Sequence, residues 1–356
     1  MRDYSLLGED GRQAVANGLS TATWYQPDIP RKRLKELMQR SDGPAIRDTA
    51  IWLAVLVATG VIGALTWFSW ISVVAFVVYG VMYGSASDTR WHECGHGTAF
   101  KTRWMNTVVY QLACFMVMRN PTVWRWSHAR HHTDTIIVGR DPEVLFTRPP
   151  KLFALAKNIF ALSEIRPLGF AMFRHAAGRL NAGERSFIPE TENRAAFTAA
   201  RIWLAIYAVV AALCVVFHSI VPAMLVGLPK LYGAWHMVLC GMLQHGGLAE
   251  NVLDHRLNSR TVYMNRASRF VYWNMNYHVE HHLFPMVPFH ALPRLHEELK
   301  AELPVPTNGF VGGFRELVPA LLKQRTDPDY NIPRFLPNGT RLEVPVPTSQ
   351  QTETTQ

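Results

Sequence analysis

IWLAVLVATGVIGALTWFSWISVVAFVVYGVMYG, residues 51–84, is the heart of a run of 39 residues between Asp48 and Asp88 without one charged side chain. One helix of that length would measure about 58 Å, roughly twice the hydrocarbon thickness of a bilayer, whereas two spans of about 18 to 20 residues fit. The spacing therefore predicts spans at 49–66 and 69–87, with a turn near Thr66 to Trp70 where Trp67 and Trp70 suit the membrane interface. A second such pair follows between Arg201 and Glu250, in which Lys230 is the only charge. Its spans are placed at 201–220 and 227–245, with Pro222 in the connection. The expected fold class is an all-α integral membrane protein with four transmembrane helices in two hairpins.

The charged residues decide sidedness. Residues 1–48, the loop from 85 to 200 and the part from 246 onward hold 8, 15 and 11 Arg/Lys, while the two hairpin turns carry at most Lys230. By the positive-inside rule all three basic parts lie in the cytoplasm, and so do both termini. The net charge of +9 is spread among acidic residues with no lysine-rich tract, which fits a membrane-facing surface rather than a nucleic-acid partner. The four cysteines are scattered and form neither a disulfide framework nor a thiolate metal site.

The remaining parts are read in order. Residues 1–48 form a polar N-terminal segment without a secretory signal. Within it DIPRKRLKELMQR, from Asp28, predicts an amphipathic helix on the membrane surface, or a solvated helix packed on the soluble part. Ser41, Asp42 and Pro44 give start signals for the next helix. Trp104 to Met118 is uncharged but short for a span, and is read as a re-entrant, interfacial or buried helix. Residues 149–200 read as a soluble excursion with amphipathic helices. The membrane domain is bounded at 49–326, and a Pro/Thr/Gln-rich tail, 327–356, is expected to be disordered at its end.

Against this frame stand the histidines. YWNMNYHVEHH, residues 272–282, places His278, His281 and His282 at i, i+3, i+4, on one face of a helix. The same spacing recurs at His128, His131 and His132, and a related pair is His92 and His96. Eight of the fifteen histidines sit in these three boxes. A lone buried histidine is ordinarily a satisfied core residue, but two accidental matches to H-x-x-H-H in one chain are very improbable. Each box lies just outside a span, on the cytoplasmic side, so the three can meet. Eight imidazoles exceed one tetrahedral zinc site and suit two metals with about four ligands each. A redox pair next to lipid can activate O2 reductively against an unactivated C–H bond, which acid and base side chains cannot do, and iron is the natural candidate.

HECGH, HARHH and NYHVEHHLFP, separated by paired spans, resemble the three histidine boxes of the membrane fatty acid desaturase superfamily over roughly residues 45–300. The resemblance implies an O2-dependent enzyme with two iron ions, carried by a cytosolic helical cap over four spanning helices, that desaturates a fatty acyl chain or related lipid. Its ligands would be His92, His96, His128, His131, His132, His278, His281 and His282. His245 is expected as a ninth, because at the end of the fourth span, after GMLQ, a helix leaving the membrane would present it to the boxes, and the family's extra histidine after that span supports it; His236, about 13 Å deeper on the same helix, is expected not to be a ligand. Box one has three residues between its histidines, as in acyl-lipid branches, and Gly241 stands where the acyl-CoA branch carries Asn. No HPGG heme segment is present, so the implied electron donor is a separate ferredoxin with its reductase. GRDPE and LNSRTVYMN also resemble the bacterial branch named for rhizopine catabolism, which pairs with Rieske-type ferredoxins, and this points to a bacterial inner membrane.

Asp134 and Asp141 follow box two and are candidates to orient ligand imidazoles through their second nitrogens, against the simpler reading of a helix cap and an Asp-Pro turn. Glu93 and Glu280, inside boxes, are read as structural or as neighbours of ligands. Three rival functions draw on the same residues. A hydroxylase or monooxygenase of the same superfamily would begin with the same hydrogen removal. His92-Glu93-Cys94-Gly95-His96 also spells the H-E-x-x-H of an intramembrane zinc protease, but that leaves both H-x-x-H-H boxes unexplained. A heme-bearing cytochrome or metal transporter would want its histidines within the spans.

Overall fold

The computed structural model describes residues 2–20 and 23–345. Among them four helical segments are long and apolar enough to cross a membrane: Arg31–Leu65, Trp70–Gly95, Glu190–Val216 and Val221–His245. The protein is mostly helical. Its strands are two short pairs, Val262–Tyr263 parallel to Thr307–Asn308 and Arg334–Phe335 antiparallel to Arg341–Leu342, and no closed sheet forms among the described residues.

Helix α1, Asp42–Leu65, starts after Ser41 and runs through the first apolar stretch. Ser69 caps α2, Trp70–Gly80, by accepting a hydrogen bond from the Ser72 amide at 3.4 Å. The two helices pack through small residues, since a Cβ on Gly60 or Gly63 would stand 2.9 Å from the rings of Tyr79 and Phe76. Their outer faces remain apolar and bare, with Val57 63%, Leu65 82% and Trp70 75% exposed, an arrangement that water penalises and lipid does not. After Gly80 the chain makes a π-helical turn, Val81–Ala86, and continues as α3, Ser87–Gly95. Such turns re-aim the residues that follow, here the first histidine box.

Helix α4, Arg103–Met116, occupies the stretch too short for a span and buries Val109, Tyr110, Ala113 and Cys114 in the main core. Helix α5, Pro121–Thr133, begins at Asn120, whose side chain accepts from the amides of Thr122 and Val123, and carries box two. Helices α6, Leu152–Asn158, and α7, Ile165–Ala176, fill the predicted soluble excursion. They depart from a water-soluble character, because Phe153, Phe170 and Phe173 are 76%, 62% and 63% exposed. Helix α8, Asn193–Val216, starts before the predicted third span and ends short of it. The fourth apolar segment is broken into α9, Val221–Leu225, α10, Pro229–Gly233, and α11, Trp235–His245, Pro229 opening the second piece.

The breaks coincide with a close crossing. A Cβ on Gly233 would stand 1.8 Å from the Gly80 carbonyl oxygen, so these two backbones touch. Ser85 locks the contact by donating to the Gly233 carbonyl at 2.6 Å and accepting from the Met237 amide at 3.0 Å. Box three lies on α12, His278–Leu283, followed by α13, Leu292–Leu299, and α14, Gly309–Lys323.

The N-terminal amphipathic helix, Arg31–Leu37, does not lie free on a membrane surface. Leu37 is 1% exposed and packs with Val279, Leu283 and Leu292, while Arg33 pairs with Glu298 at 2.6 Å. Of the two readings of this helix the packed one holds, because its leucines meet apolar partners on α12 and α13. The tail from Asp327 is likewise laid on the body as far as Val344, where Leu342 and Val344 cover Ala249, Val252 and Leu257. The expected disorder at its end falls on residues outside those described.

Candidate metal centre

Four elements aim nine imidazoles at two points. His92 stands on α3 and His96 directly after it; α5 supplies His128, His131 and His132; His245 ends α11; α12 supplies His278, His281 and His282. One set comprises His92, His96, His128, His132 and His281, the other His131, His245, His278 and His282, and within each set the ligand atoms all lie within 4.8 Å of one another. Helix geometry explains the partition. Positions i and i+4 are about 40° apart around the axis, so His128 and His132 share one set and His278 and His282 the other, while the i+3 residue of each box turns to the opposite set.

The spacing within the sets is that of ligands sharing an ion. Nε2 of His128 is 3.1 Å from Nε2 of His96 and 3.2 Å from that of His132, which is 3.1 Å from that of His281. In the second set Nε2 of His278 is 2.9 Å from that of His245 and 3.0 Å from that of His282. Metal–imidazole bonds of about 2.0–2.1 Å place neighbouring nitrogens about 2.9–3.4 Å apart. His92 supplies a further sign, since both its ring nitrogens are buried without a hydrogen-bond partner, a state that buried polar atoms avoid unless something else satisfies them.

The second nitrogens of several rings are held by acceptors, which fixes the tautomer that presents Nε2. His131 Nδ1 donates to Asp141 at 2.8 Å, His128 Nδ1 to Glu143 at 3.0 Å, and His245 Nδ1 to the Asn258 carbonyl at 2.8 Å. His282 Nδ1 lies 3.3 Å from the Thr135 hydroxyl, whose own proton goes to the His131 carbonyl at 2.6 Å. Burial, and then the neighbouring histidines, hold His128, His132, His278, His281 and His282 well below the usual imidazole range, and burial takes His96 down to about 4. All six therefore carry free lone pairs at neutral pH, the form a metal requires. Burial would lower His131 too, but the Asp141 carboxylate beside it raises it.

Of the two readings of Asp134 the helix cap fits: it stands at the end of α5, and its carboxylate reaches Arg130 at 3.4 Å and Arg140 at 3.0 Å. The place beside a ligand imidazole falls to Glu143 instead. It lies two residues beyond Asp141, within GRDPE, where no local spacing marks it. Glu93 anchors structure, accepting from Thr98 at 3.2 Å and the Phe289 amide at 3.1 Å, with His92 and His281 each 3.8 Å away. Glu280 accepts from Thr261 at 2.5 Å and from His296. His236 faces Ser268 at 3.3 Å, away from both sets. Asp141→Asn and Glu143→Gln are each expected to weaken metal retention about 10- to 100-fold, measured by titration with a chelator; retention equal to the parent would show these pairs to be incidental.

A cavity of about 360 Å³ opens on His92, His128, His131, His245 and His278, and is walled further out by Trp91, Trp124, Met237 and Met275 together with several charged groups.

Residues 68–308 match the Fatty acid desaturase family. The chain belongs to that family. It is similar to a probable fatty acid desaturase of Sorghum bicolor, 27% identical over 273 residues, 71% of this chain and 69% of the relative. An acyl-lipid omega-3 desaturase (cytochrome b5) of the endoplasmic reticulum in Arabidopsis thaliana is 22% identical over 289 residues, covering 74% and 72%. A chloroplastic sn-2 acyl-lipid omega-3 desaturase (ferredoxin) of the same plant is 23% identical over 280 residues, covering 72% and 60%. Membership makes this desaturase-family protein a lipid desaturase-like oxidoreductase.

Proposed function

We propose that this enzyme is an integral membrane di-iron desaturase that uses O2 and electrons from a separate protein to introduce a double bond into an acyl chain or related lipid. The observation that carries the reading is the pair of histidine sets, buried, spaced for two ions and lining a cavity. His92, His96, His128, His132 and His281 would hold one iron, and His131, His245, His278 and His282 the other. When bound, the irons would supply the reductive activation of O2 that an unactivated C–H bond demands. The protein's own part is positional. Asp141 and Glu143 keep the Nδ1 protons of His131 and His128 in place, and the Trp91 and Trp124 rings keep bulk water from the reacting carbon. The named donors of the two Arabidopsis relatives, cytochrome b5 and ferredoxin, support a separate electron carrier here.

In the proposed topology the four apolar segments form two hairpins under a cap on the cytoplasmic side, which holds both termini and all nine histidines. The charge distribution supports it, as do the bare phenylalanines of α6 and α7, which would rest in the interface. Purified enzyme is expected to carry about two irons per chain, and cells supplying ferredoxin and reductase should accumulate a lipid lacking two hydrogens only in the presence of O2. Gain of one oxygen instead would assign a hydroxylase, and a single tight zinc with no iron-dependent product would overturn the reading. Reporter fusions near 70 and 224 should face the opposite side from fusions after 47, 150 and 300.

A further inference from the structure

The cavity beside the histidines holds more charge than a passage for methylene groups needs. Lys230 is 2% exposed, and its ammonium lies 3.4 Å from Glu164, its one ion-pair partner among the described residues. Arg119 reaches Asp88 at 3.4 Å, and its buried Nε has no partner. All four side chains line the same cavity as His92 and His128. The Arg119 guanidinium lies over the rings of Trp124 and Trp91, at 4.0 and 5.1 Å, and Trp91 in turn sets its edge against His128, with ring centres 5.5 Å apart. Arg119 thus stands over a ring that touches the first histidine set, and Arg119 and Lys230 both act on Glu164.

The two acids are better supplied than the two bases. Asp88 also accepts from the Trp91 indole at 2.8 Å, and Glu164 from the Asn158 amide at 2.7 Å. Burial would raise Glu164, yet Lys230 and Arg119 hold it down to about 2, so it stays ionised. An ammonium has three N–H groups and a guanidinium five, and each here makes a single long ionic contact. Glu143 and Glu250, the other carboxylates of the cavity, are engaged by His128 and by Arg2 and Arg148, whereas the Arg119 Nε is buried without a partner, and a buried donor calls for an acceptor.

We propose that the substrate brings that acceptor: an anionic group, carboxylate or phosphate, which enters the cavity and binds Lys230 and Arg119. The substrate is then a free amphiphilic acid, not an esterified chain whose polar end stays outside. The inference rests on the desaturase reading for what happens at the histidine end. With the anion fixed at one end and the metal centre at the other, the distance between them selects the carbon that reacts.

The test uses the full-length, iron-loaded enzyme in neutral detergent and four twelve-carbon probes: laurate, dodecyl phosphate, methyl laurate and dodecanol. Calorimetric titration is expected to show at least one anion binding about tenfold or more tighter than the ester and the alcohol, and the preferred anion names the source. Lys230→Met alone would strand Glu164 without its partner and fold poorly, so the double variant Lys230→Met/Glu164→Gln carries the test. It should keep its iron and its affinity for methyl laurate while losing the preference for the anion. Equal binding of all four probes by the parent, or an undiminished preference in the double variant, overturns the proposal. Binding and turnover fail separately: anion preference without an O2-dependent product would sink the desaturase reading and leave this site standing.

Discussion

Replacing His245 with alanine is expected to remove one of two irons per chain and to lower turnover by at least about 100-fold. His245 is the residue that gives the second set its fourth ligand. Its Nε2 lies 2.9 Å from that of His278, and its Nδ1 is pinned to the Asn258 carbonyl at 2.8 Å. Without it three imidazoles remain at that ion, and the set fed by five histidines is untouched, so loss of half the metal is the signature of the partition. His236→Ala is the matched control, nine residues earlier on the same helix, and should load normally because its ring meets Ser268 and Phe310 rather than any box histidine. Both variants are compared by metal analysis and by electron paramagnetic resonance of the reduced protein. Full iron and full turnover in His245→Ala would remove it from the centre.

Gly233→Val should be nearly as damaging without touching a ligand. The Gly80 carbonyl oxygen would lie 1.8 Å from the new Cβ, and because the neighbour is backbone, relief requires α2 and α10 to part. Overpacking of this kind costs about 3 kcal/mol or more. Separation would also break the Ser85 bridge and tilt the π-helical turn that leads into α3, carrying His92 away from His128. The expected readout is a sharp drop in monodisperse protein and in melting temperature, with iron lost from what survives. Gly169→Ala, where an added Cβ meets nothing within 4 Å, should behave as the parent. A folded, fully loaded Gly233→Val would mean that the crossing does not set the first box.

What the sequence displayed and what it concealed follow from range. Apolar runs and the H-x-x-H-H spacing are local patterns, so residues 51–84 announce membrane helices and His278, His281 and His282 announce a cluster without any knowledge of tertiary contacts. The end of the fourth apolar run marks His245, and the resemblance to a family supports it. The place of Glu143 depends on how the chain turns after Asp141, and that of Asp134 on the Arg130 and Arg140 side chains it meets, neither of which a local pattern records. The Arg31–Leu37 helix had an apolar face whose partner, α12 and α13, lies some 250 residues on. Lys230 was noted only as the sole charge in a hairpin; Glu164 and Arg119, which give it significance, arrive from two other parts of the chain. The Gly80–Gly233 contact is of the same long-range kind.

The interleaving of the histidines also bears on how the protein is made. Neither set can be completed by one box: each draws on box two and box three, and His281 and His278 belong to the last box in the chain. From His92 to His282 is 282 − 92 = 190 residues, which a ribosome adding about 5–20 residues per second covers in roughly 10 to 40 seconds. Throughout that interval the early histidines have no finished coordination shell on offer. On the proposed di-metal reading neither set is complete until α12 has been made, and a chain truncated before α12 would leave both sets short of histidines, not one.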